Sequence, residues 1–414
     1  MLDINYIKEN LKKVKKDIAA RKAEVNLDRL LELDEKRKEL IKILDEKRAE
    51  RNTSSKQKPD PSQLEKLQTL KHEIDQLELS LKEVETEWEK LILQIPNILM
   101  DEVPIGDVSQ NKIIRKEGEL PKFNFKVRDH IELGKMLDII DFDRGVKVGG
   151  FRGYYLKNEG ARLHWAILQF AFEHLIQKGF QPVVPPIINK RFALLGGGQF
   201  PWGEEDTYKV GDEDFLVGTA EIPLMAMHAD ETFDLKDLPK KYVGLSSCFR
   251  TEIGSYGKDT KGLYRVHEFY KVEQVILCEA DEKQSLGFFE ELQDNSEDIL
   301  QSLGLPYQVV CLSSQDMGKK AALTYDIETY MAAREGYGET HSNSIVLDFQ
   351  TRRLKIRYKD EDGQIKFCHA LNNTAIASPR ILIPILENFQ QEDGSIKIPE
   401  VLQKYTGFSE IHPK

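Results

Sequence analysis

Apolar residues in the first hundred positions recur at alternating intervals of three and four. From Leu67 they run Leu67, Leu70, Ile74, Leu77, Leu81, Val84, Trp88 and Leu91, a sustained heptad seam. A weaker seam precedes it at Leu30, Leu33, Arg37, Leu40 and Leu44. Between them lies RNTSSKQKPDPSQ, a polar stretch with two prolines. Two heptad segments joined by a short polar turn predict an antiparallel helical hairpin from about residue 27 to 94. With roughly 30 residues per helix at about 1.5 Å each, the arm is on the order of 45 Å long. Such an arm cannot bury itself in a globular core, so it is expected to project. No glycine occurs in this segment, and its only prolines are Pro59, Pro61 and Pro96.

The pattern changes after Pro96, where Pro96, Pro104, Gly106 and Gly118 mark a linker. Two domains are expected, a helical arm over 1–100 and a second domain over 101–414. Leu163, Ile167, Phe170, Ala171, His174 and Leu175 predict a helix over Ala161–Lys178. The run GFQPVVPPII follows, Gly179 to Ile188, equally suited to a subunit interface or to a core. Strand-like runs dominate thereafter, interrupted by an amphipathic helix over Lys283–Leu303. A last helix is expected from Ser378, with Ser378 as N-cap and Pro379 at the first helical position. Pro384 conflicts with that helix and is expected to bend it.

A chain of 414 residues exceeds one ordinary core, and its net charge is −11. That balance argues against a surface that binds nucleic acid everywhere. Locally it reverses: from Lys36 to Lys58 nine bases face four acids. Two readings fit this stretch, a solvated coiled-coil face and an arm that binds a phosphate backbone. Cys248, Cys278, Cys311 and Cys368 are scattered, with no CxxC or Cys/His cluster to suggest zinc. They are expected to be reduced, packed thiols. No apolar run is long enough to span a membrane and the N-terminus lacks a signal-peptide core, so a cytoplasmic protein is expected. No Walker loop, Rossmann glycine fingerprint or internal repeat occurs.

The chemistry concentrates between Tyr242 and Leu277. Two strand-like pieces flank IGSYGKDTKGLYR, whose Gly254, Gly257, Gly262, Lys258, Lys261 and Arg265 predict a long, mobile, basic connection. Strand alternation places Gly244, Ser246, Cys248, Arg250 and Glu252 on one face, and Phe269, Lys271 and Glu273 on one face of the partner. Small residues leave a trough beside Arg250, a side chain suited to fork-like recognition of phosphate or carboxylate. Phe269 could stack on a planar base. These residues fit a hairpin that holds a nucleotide-like anion. They also fit an ordinary hairpin with a surface Arg–Glu pair.

Four blocks stand in order: VGTAEIP (Val217–Pro223), CFRTEIGSYGKDTKGLYRVHEFYKVE (Cys248–Glu273), GETHSNS (Gly338–Ser344) and HALNNTAIASPRILIPILENFQ (His369–Gln390). Together with the helical hairpin, NILMDEVPIG (Asn97–Gly106) and KVRDHIELG (Lys126–Gly134), they resemble the bacterial-type seryl-tRNA synthetases, a class II aminoacyl-tRNA synthetase family. The resemblance spans nearly the whole chain. It implies an α+β fold: the N-terminal antiparallel helical hairpin, then a class II catalytic domain with an antiparallel sheet flanked by helices. It also implies a homodimer that uses ATP and Mg²⁺ to attach L-serine to tRNA(Ser), with tRNA(Sec) as a second substrate.

Residue by residue, the resemblance implies catalytic roles for Arg250, Glu252 and Arg380. Arg250 would hold the α-phosphate and the serine carboxylate, Glu252 and the Val266 backbone would meet adenine, and Phe269 and Arg380 would sandwich the base. Arg380 would also reach the γ-phosphate. Thr251, Glu339, Thr340, His341 and Ser342 complete the ATP set, with Glu339 and Ser342 ligating Mg²⁺. Thr219, Ala220, Glu221, Arg250, Glu273 and Thr374 match the serine pocket. Lys47, Arg48 and Arg51 match the tRNA-binding arm. The chain departs from the family at Thr374, often Ser; at Asn373 and Ala375, commonly Gly; at Pro379, often Gly; and at His341, often Ser. The alternatives are a non-catalytic synthetase paralogue and a ligase directed at a carrier protein. Loss of Arg250, Glu252, Glu273 or Arg380 would mark the first, and zinc ligands without an arm the second.

Overall fold

The structure is a computed structural model that describes residues 1–54, 61–253 and 261–414, with backbone alone over 61–64. The chain divides into two compact units, Met1–Pro96 and Asn97–Lys414. Gly254, Gly257 and Lys258 of the basic connection, and Lys56, Lys58 and Pro59 of the arm, lie outside the described residues.

The first unit contains α1 (Ile4–Glu9), α2 (Leu11–Ala20), α3 (Leu27–Ser54) and α4 (Pro61–Leu93). Helices α3 and α4 form the hairpin. Between Glu65 and Lys90 the seam residues are buried or half-buried, and every other position but Glu73 is exposed. Arg37 occupies a seam position without breaking it. Its guanidinium sits 4.8 Å from the ring centroid of Trp88 on the partner helix. Pro61 is the first residue of α4, where a missing N–H costs nothing. Helices α1 and α2 were not anticipated; Lys8 ties α1 to the buried Asp34 of α3 at 2.6 Å.

The second unit is built on an eight-stranded sheet. Its strands in chain order are β1 (Lys112–Glu117), β2 (Gln181–Val183), β3 (Lys240–Phe249), β4 (Glu268–Cys278), β5 (Tyr307–Cys311), β6 (Leu323–Met331), β7 (Gly336–Leu347) and β8 (His369–Ser378). Their spatial order is β1-β5-β6-β7-β8-β4-β3-β2. All neighbours are antiparallel except β2 beside β3. The expected α+β fold with an antiparallel sheet is therefore the one observed. The predicted helices are present as Asn158–Gln177 and Glu282–Leu303. Gln274 of β4 donates to the Leu292 carbonyl and to Ser296 of the second of these, and the Tyr270 ring lies 5.2 Å from His164 of the first. By strand alternation, Phe269, Lys271 and Glu273 point to the other side of the sheet.

Three expectations fail. The ladder of β3 stops at Phe249, and Glu252 has φ of +56°, so strand alternation does not carry through Arg250 and Glu252. Ser378 is no N-cap: it is the last residue of β8, because Pro379 has no N–H to donate to the ladder. The helix begins at Leu382 and ends at Asn388, which places Arg380 before it rather than in its first turn. Pro384 is its third residue, where an N–H has no intrahelical acceptor, so no bend arises. A further helix follows at Glu400–Thr406. The four cysteines are buried and unpaired. Among the described residues, no helix is long and apolar enough to cross a membrane.

Candidate active site

A cleft of about 510 Å³, open mouth included, lies where the ends of β3 and β4 meet β7, β8 and the Pro379–Arg380 turn. Among the described residues, Arg250, Arg265, Lys271 and Arg380 line it against two acids, Glu252 and Glu339. An excess of cations in a chain of net charge −11 marks an anion site. The Arg250 guanidinium lies 5.1 Å from the Phe269 ring centroid and donates to the Gly218 carbonyl at 3.3 Å. Arg380 donates from Nε to the Tyr264 carbonyl at 2.9 Å and from Nη1 to the Glu339 carbonyl at 3.2 Å. Its guanidinium sits over the Tyr264 ring at 4.5 Å. So it is Arg250, not Arg380, that stands over Phe269 here. Glu252 accepts from Arg265 at 3.2 Å and lies 3.6 Å from Arg152.

Deeper in, β3, β4 and β8 put three polar side chains on one face. Glu273 stands opposite Gly244 on one side and Thr374 on the other, and Lys271 opposite Ser246 and Ala377. Lys271 Nζ is 2.5 Å from Glu273 Oε2 and donates to Thr374 Oγ1 at 3.2 Å; that hydroxyl donates to Glu273 at 3.3 Å. Burial pushes the Glu273 carboxyl up and the Glu221 charge adds to this, while Lys271 and Lys320 oppose it. Glu221 is itself buried, accepting from Lys320 at 2.5 Å and from Gln350 at 2.6 Å. The Thr219 hydroxyl accepts from the Glu221 N–H at 3.2 Å at the start of the helix Glu221–Ala226. Of the expected serine set, Arg250 and Thr374 line the cleft, while Thr219, Ala220, Glu221 and Glu273 do not.

Of the expected ATP set, all but Thr251 line the cleft. Thr251 turns away and donates to Asp206 at 3.1 Å. Thr340 shares a 2.6 Å hydroxyl contact with Thr329 of β6. His341 is fully buried, and burial pushes its imidazole down to about 3, so it is neutral at ordinary pH. Glu339 is half-exposed and Ser342 lies nearby on the same strand. Asp326 of β6, which sequence reasoning missed, stands opposite Ser342 and accepts from its hydroxyl. Burial first, then the Glu339 charge, raises the Asp326 carboxyl well above the carboxylate range. Its Oδ1 has no hydrogen-bond partner among the described residues. Two carboxylates and a hydroxyl are hard oxygen donors. They fit a divalent cation that takes its remaining ligands from phosphate and water. Strand alternation in YDIET could have pointed to Asp326 only with the register against β7 in hand.

The cleft floor is braced from behind by His164, whose Nδ1 lies 2.8 Å from Ser378 Oγ. Burial lowers His164 from 6.5 to about 4. A depressed histidine contributes stability that is complete above 6.5 and lost as pH falls through its folded value. Denaturant unfolding should therefore show stability falling by about 3 kcal/mol on this account between pH 6.5 and 4. His164→Gln should flatten that segment of the profile.

In the arm, Lys47 pairs with Glu73 at 2.6 Å and Arg48 with Glu78 at 2.7 Å, both acids on α4. Arg51 lies in the last turn of α3.

Two family descriptions match the chain. The seryl-tRNA synthetase N-terminal domain matches residues 1–99, and the class II tRNA synthetase core domain (G, H, P, S and T) matches residues 207–389. Serine–tRNA ligase of Deinococcus radiodurans is 42% identical, with 99% of each chain covered. Serine–tRNA ligase of Borrelia garinii subsp. bavariensis is 44% identical with the same coverage. Among solved structures, seryl-tRNA synthetase from Pyrococcus horikoshii complexed with ATP superposes with a TM-score of 0.91 at 39% identity over 100% of both chains. Likeness of this extent, over arm and core together, establishes that the chain belongs to the seryl-tRNA synthetase family of class II aminoacyl-tRNA synthetases.

Proposed function

We propose that this protein attaches L-serine to tRNA(Ser) in two steps through a seryl-adenylate, and serylates tRNA(Sec) as well. The observation that carries this is the cation-rich cleft joined to the buried Lys271–Glu273–Thr374 cluster, inside a chain of this family. In the first step the serine carboxylate oxygen attacks the α-phosphorus of ATP in line, and the bond to the bridging oxygen breaks to release pyrophosphate. No protein nucleophile or general base is required. Arg250 neutralises charge at the α-phosphate and Arg380 at the γ-phosphate, while Phe269, Glu252 and the Val266 backbone hold the adenine. Mg²⁺, held by Glu339 and Ser342 with Asp326 behind them, would neutralise further phosphate charge. Glu273 and Thr374 receive the serine ammonium and hydroxyl. In the second step the 3′-terminal ribose hydroxyl of the tRNA attacks the adenylate carbonyl and AMP leaves.

The working unit in this reading is a cytoplasmic homodimer. Val184 in the GFQPVVPP block is 83% exposed, and Val148 and Trp165 are 72% and 51% exposed, apolar surface that a second subunit would cover. The division into an arm over 1–100 and a catalytic domain over 101–414 follows the same reading. Serine-dependent ATP–pyrophosphate exchange tests the first step, and charging of tRNA(Ser) and tRNA(Sec) transcripts the second. Exchange without charging would point to a different acceptor.

The arm supplies tRNA affinity through backbone and shape. Lys47 and Arg48 exchange their solvent-accessible acid partners for phosphates at little cost, since surface pairs contribute little to stability. Changing Lys47, Arg48 and Arg51 together to Ala should weaken tRNA binding and flatten its salt dependence by about one slope unit per lost phosphate contact. Serine-dependent pyrophosphate exchange should be unchanged. A triple variant with the original salt slope would remove these residues from the tRNA surface.

A further inference from the structure

We infer that His130 is a positioning residue for ATP, acting through the return end of the 250–265 connection. The inference rests on the reading of the cleft as the ATP site. His130 opens the helix His130–Met136, and its side chain is only 11% exposed. Its Nε2 accepts from the Leu263 N–H at 3.2 Å. A backbone N–H can only donate, so Nε2 carries the lone pair and Nδ1 the proton. That proton is donated to Glu387 Oε1 at 2.9 Å. Glu387 is 2% exposed and also accepts from the backbone N–H groups of His130 at 3.1 Å and Ala333 at 3.1 Å. The carboxylate is thus held by three donors from two separate segments, and the imidazole hands that fixity on to Leu263.

The next residues are those that build the cleft. Leu263 and Val266 line it, and the Tyr264 carbonyl receives Arg380 Nε at 2.9 Å. The Tyr264 ring carries Arg380 at 4.5 Å and Arg334 at 4.6 Å. A shift at Leu263 therefore moves both the backbone expected to meet adenine and the seat of Arg380. The approach is close enough to demand glycine next door. Gly262 has φ of +75°, and a Cβ there would stand 2.1 Å from His130 Nε2. The His130 ring bonds Glu387 and the Leu263 N–H, on the ATP side of the cleft, so its effect should fall on ATP and not on serine.

Two side chains separate the roles of the ring nitrogens. In His130→Asn the amide can donate to Glu387 but cannot reach Leu263; in His130→Gln the longer side chain offers an oxygen at the Nε2 position. Both leave Glu387 its backbone donors, which supports the fold. In serine-dependent pyrophosphate exchange, His130→Asn should raise KM for ATP about tenfold, the scale of one lost buried hydrogen bond. KM for serine and the melting temperature should stay close to wild type. His130→Gln should recover most of the ATP affinity. In parallel, amide hydrogen exchange over residues 261–266 of the full-length protein should accelerate in the Asn variant and not in the Gln variant. Unchanged exchange and unchanged KM for ATP in folded His130→Asn would overturn the inference, as would equal impairment of the two variants. Absence of pyrophosphate exchange in the wild type would instead overturn the functional reading; the amide measurement still decides whether His130 holds Leu263.

Discussion

Alanine is expected to be activated about 10⁴–10⁵-fold less efficiently than serine, measured as kcat/KM in pyrophosphate exchange. The two amino acids differ by one hydroxyl. In the structure, Thr374 Oγ1, which lines the cleft, lies 3.3 Å from Oε2 of the buried Glu273 behind it, with Lys271 on both. Both groups are buried, so an unfilled hydrogen-bond position there is not repaired by bulk water. A substrate without the hydroxyl leaves these polar atoms short of a partner in the transition state. Sites built to bond a hydroxyl reject its absence far more strongly than apolar pockets reject a missing methylene. Threonine poses the opposite problem. It keeps the hydroxyl and adds a methyl, which the proposed pocket must refuse by shape. Activation of alanine within tenfold of serine would mean that Glu273 and Thr374 do not form the amino-acid pocket.

Arg250→Ala is expected to lower the exchange rate by about 10²–10³ while the protein remains folded. Arg250 is half-buried at the cleft, and among the described residues its side chain donates to the Gly218 carbonyl at 3.3 Å and sits over Phe269. Little folding energy depends on those contacts. A cation that neutralises the α-phosphate as the new bond forms contributes about 3–4 kcal/mol to the transition state. Loss should therefore appear in kcat as well as in kcat/KM, without a comparable fall in melting temperature. Lysine at this position should recover only part of the rate, since a point charge replaces a planar fork. Near-normal exchange by a folded Arg250→Ala would remove Arg250 from the chemistry.

The heptad arm and the shared faces of the central hairpin were legible in the chain because both are local periodicities. A 3–4 spacing places Leu70, Ile74 and Val84 in one seam whatever else the protein does, and all three are buried. A period of two puts Gly244 and Ser246 across from Glu273 and Lys271 once the strands pair, and they do. The motif blocks likewise named the cleft: Arg250, Phe269, Glu339, Ser342 and Arg380 come together from three separate stretches. What failed was local as well. Alternation was carried past Phe249 into backbone of positive φ, and Ser378–Pro379 was read as a helix start although Ser378 still belonged to a ladder.

Contacts between distant segments were invisible for a different reason. Asp326 acquires meaning only in register with Ser342, and His130 only beside Glu387, 257 residues away. Glu221 carries the family's pattern, but only the fold shows that Lys320 and Gln350 hold its carboxylate. The basic stretch of the arm reads as net positive because the acids that answer Lys47 and Arg48 sit on the returning helix, at Glu73 and Glu78. Periodicity along the chain determined which side chains face inward. Which charges and hydrogen-bonding groups meet there was decided by strand order and helix return, because burial makes an unmatched polar group costly only after the tertiary fold has removed the water.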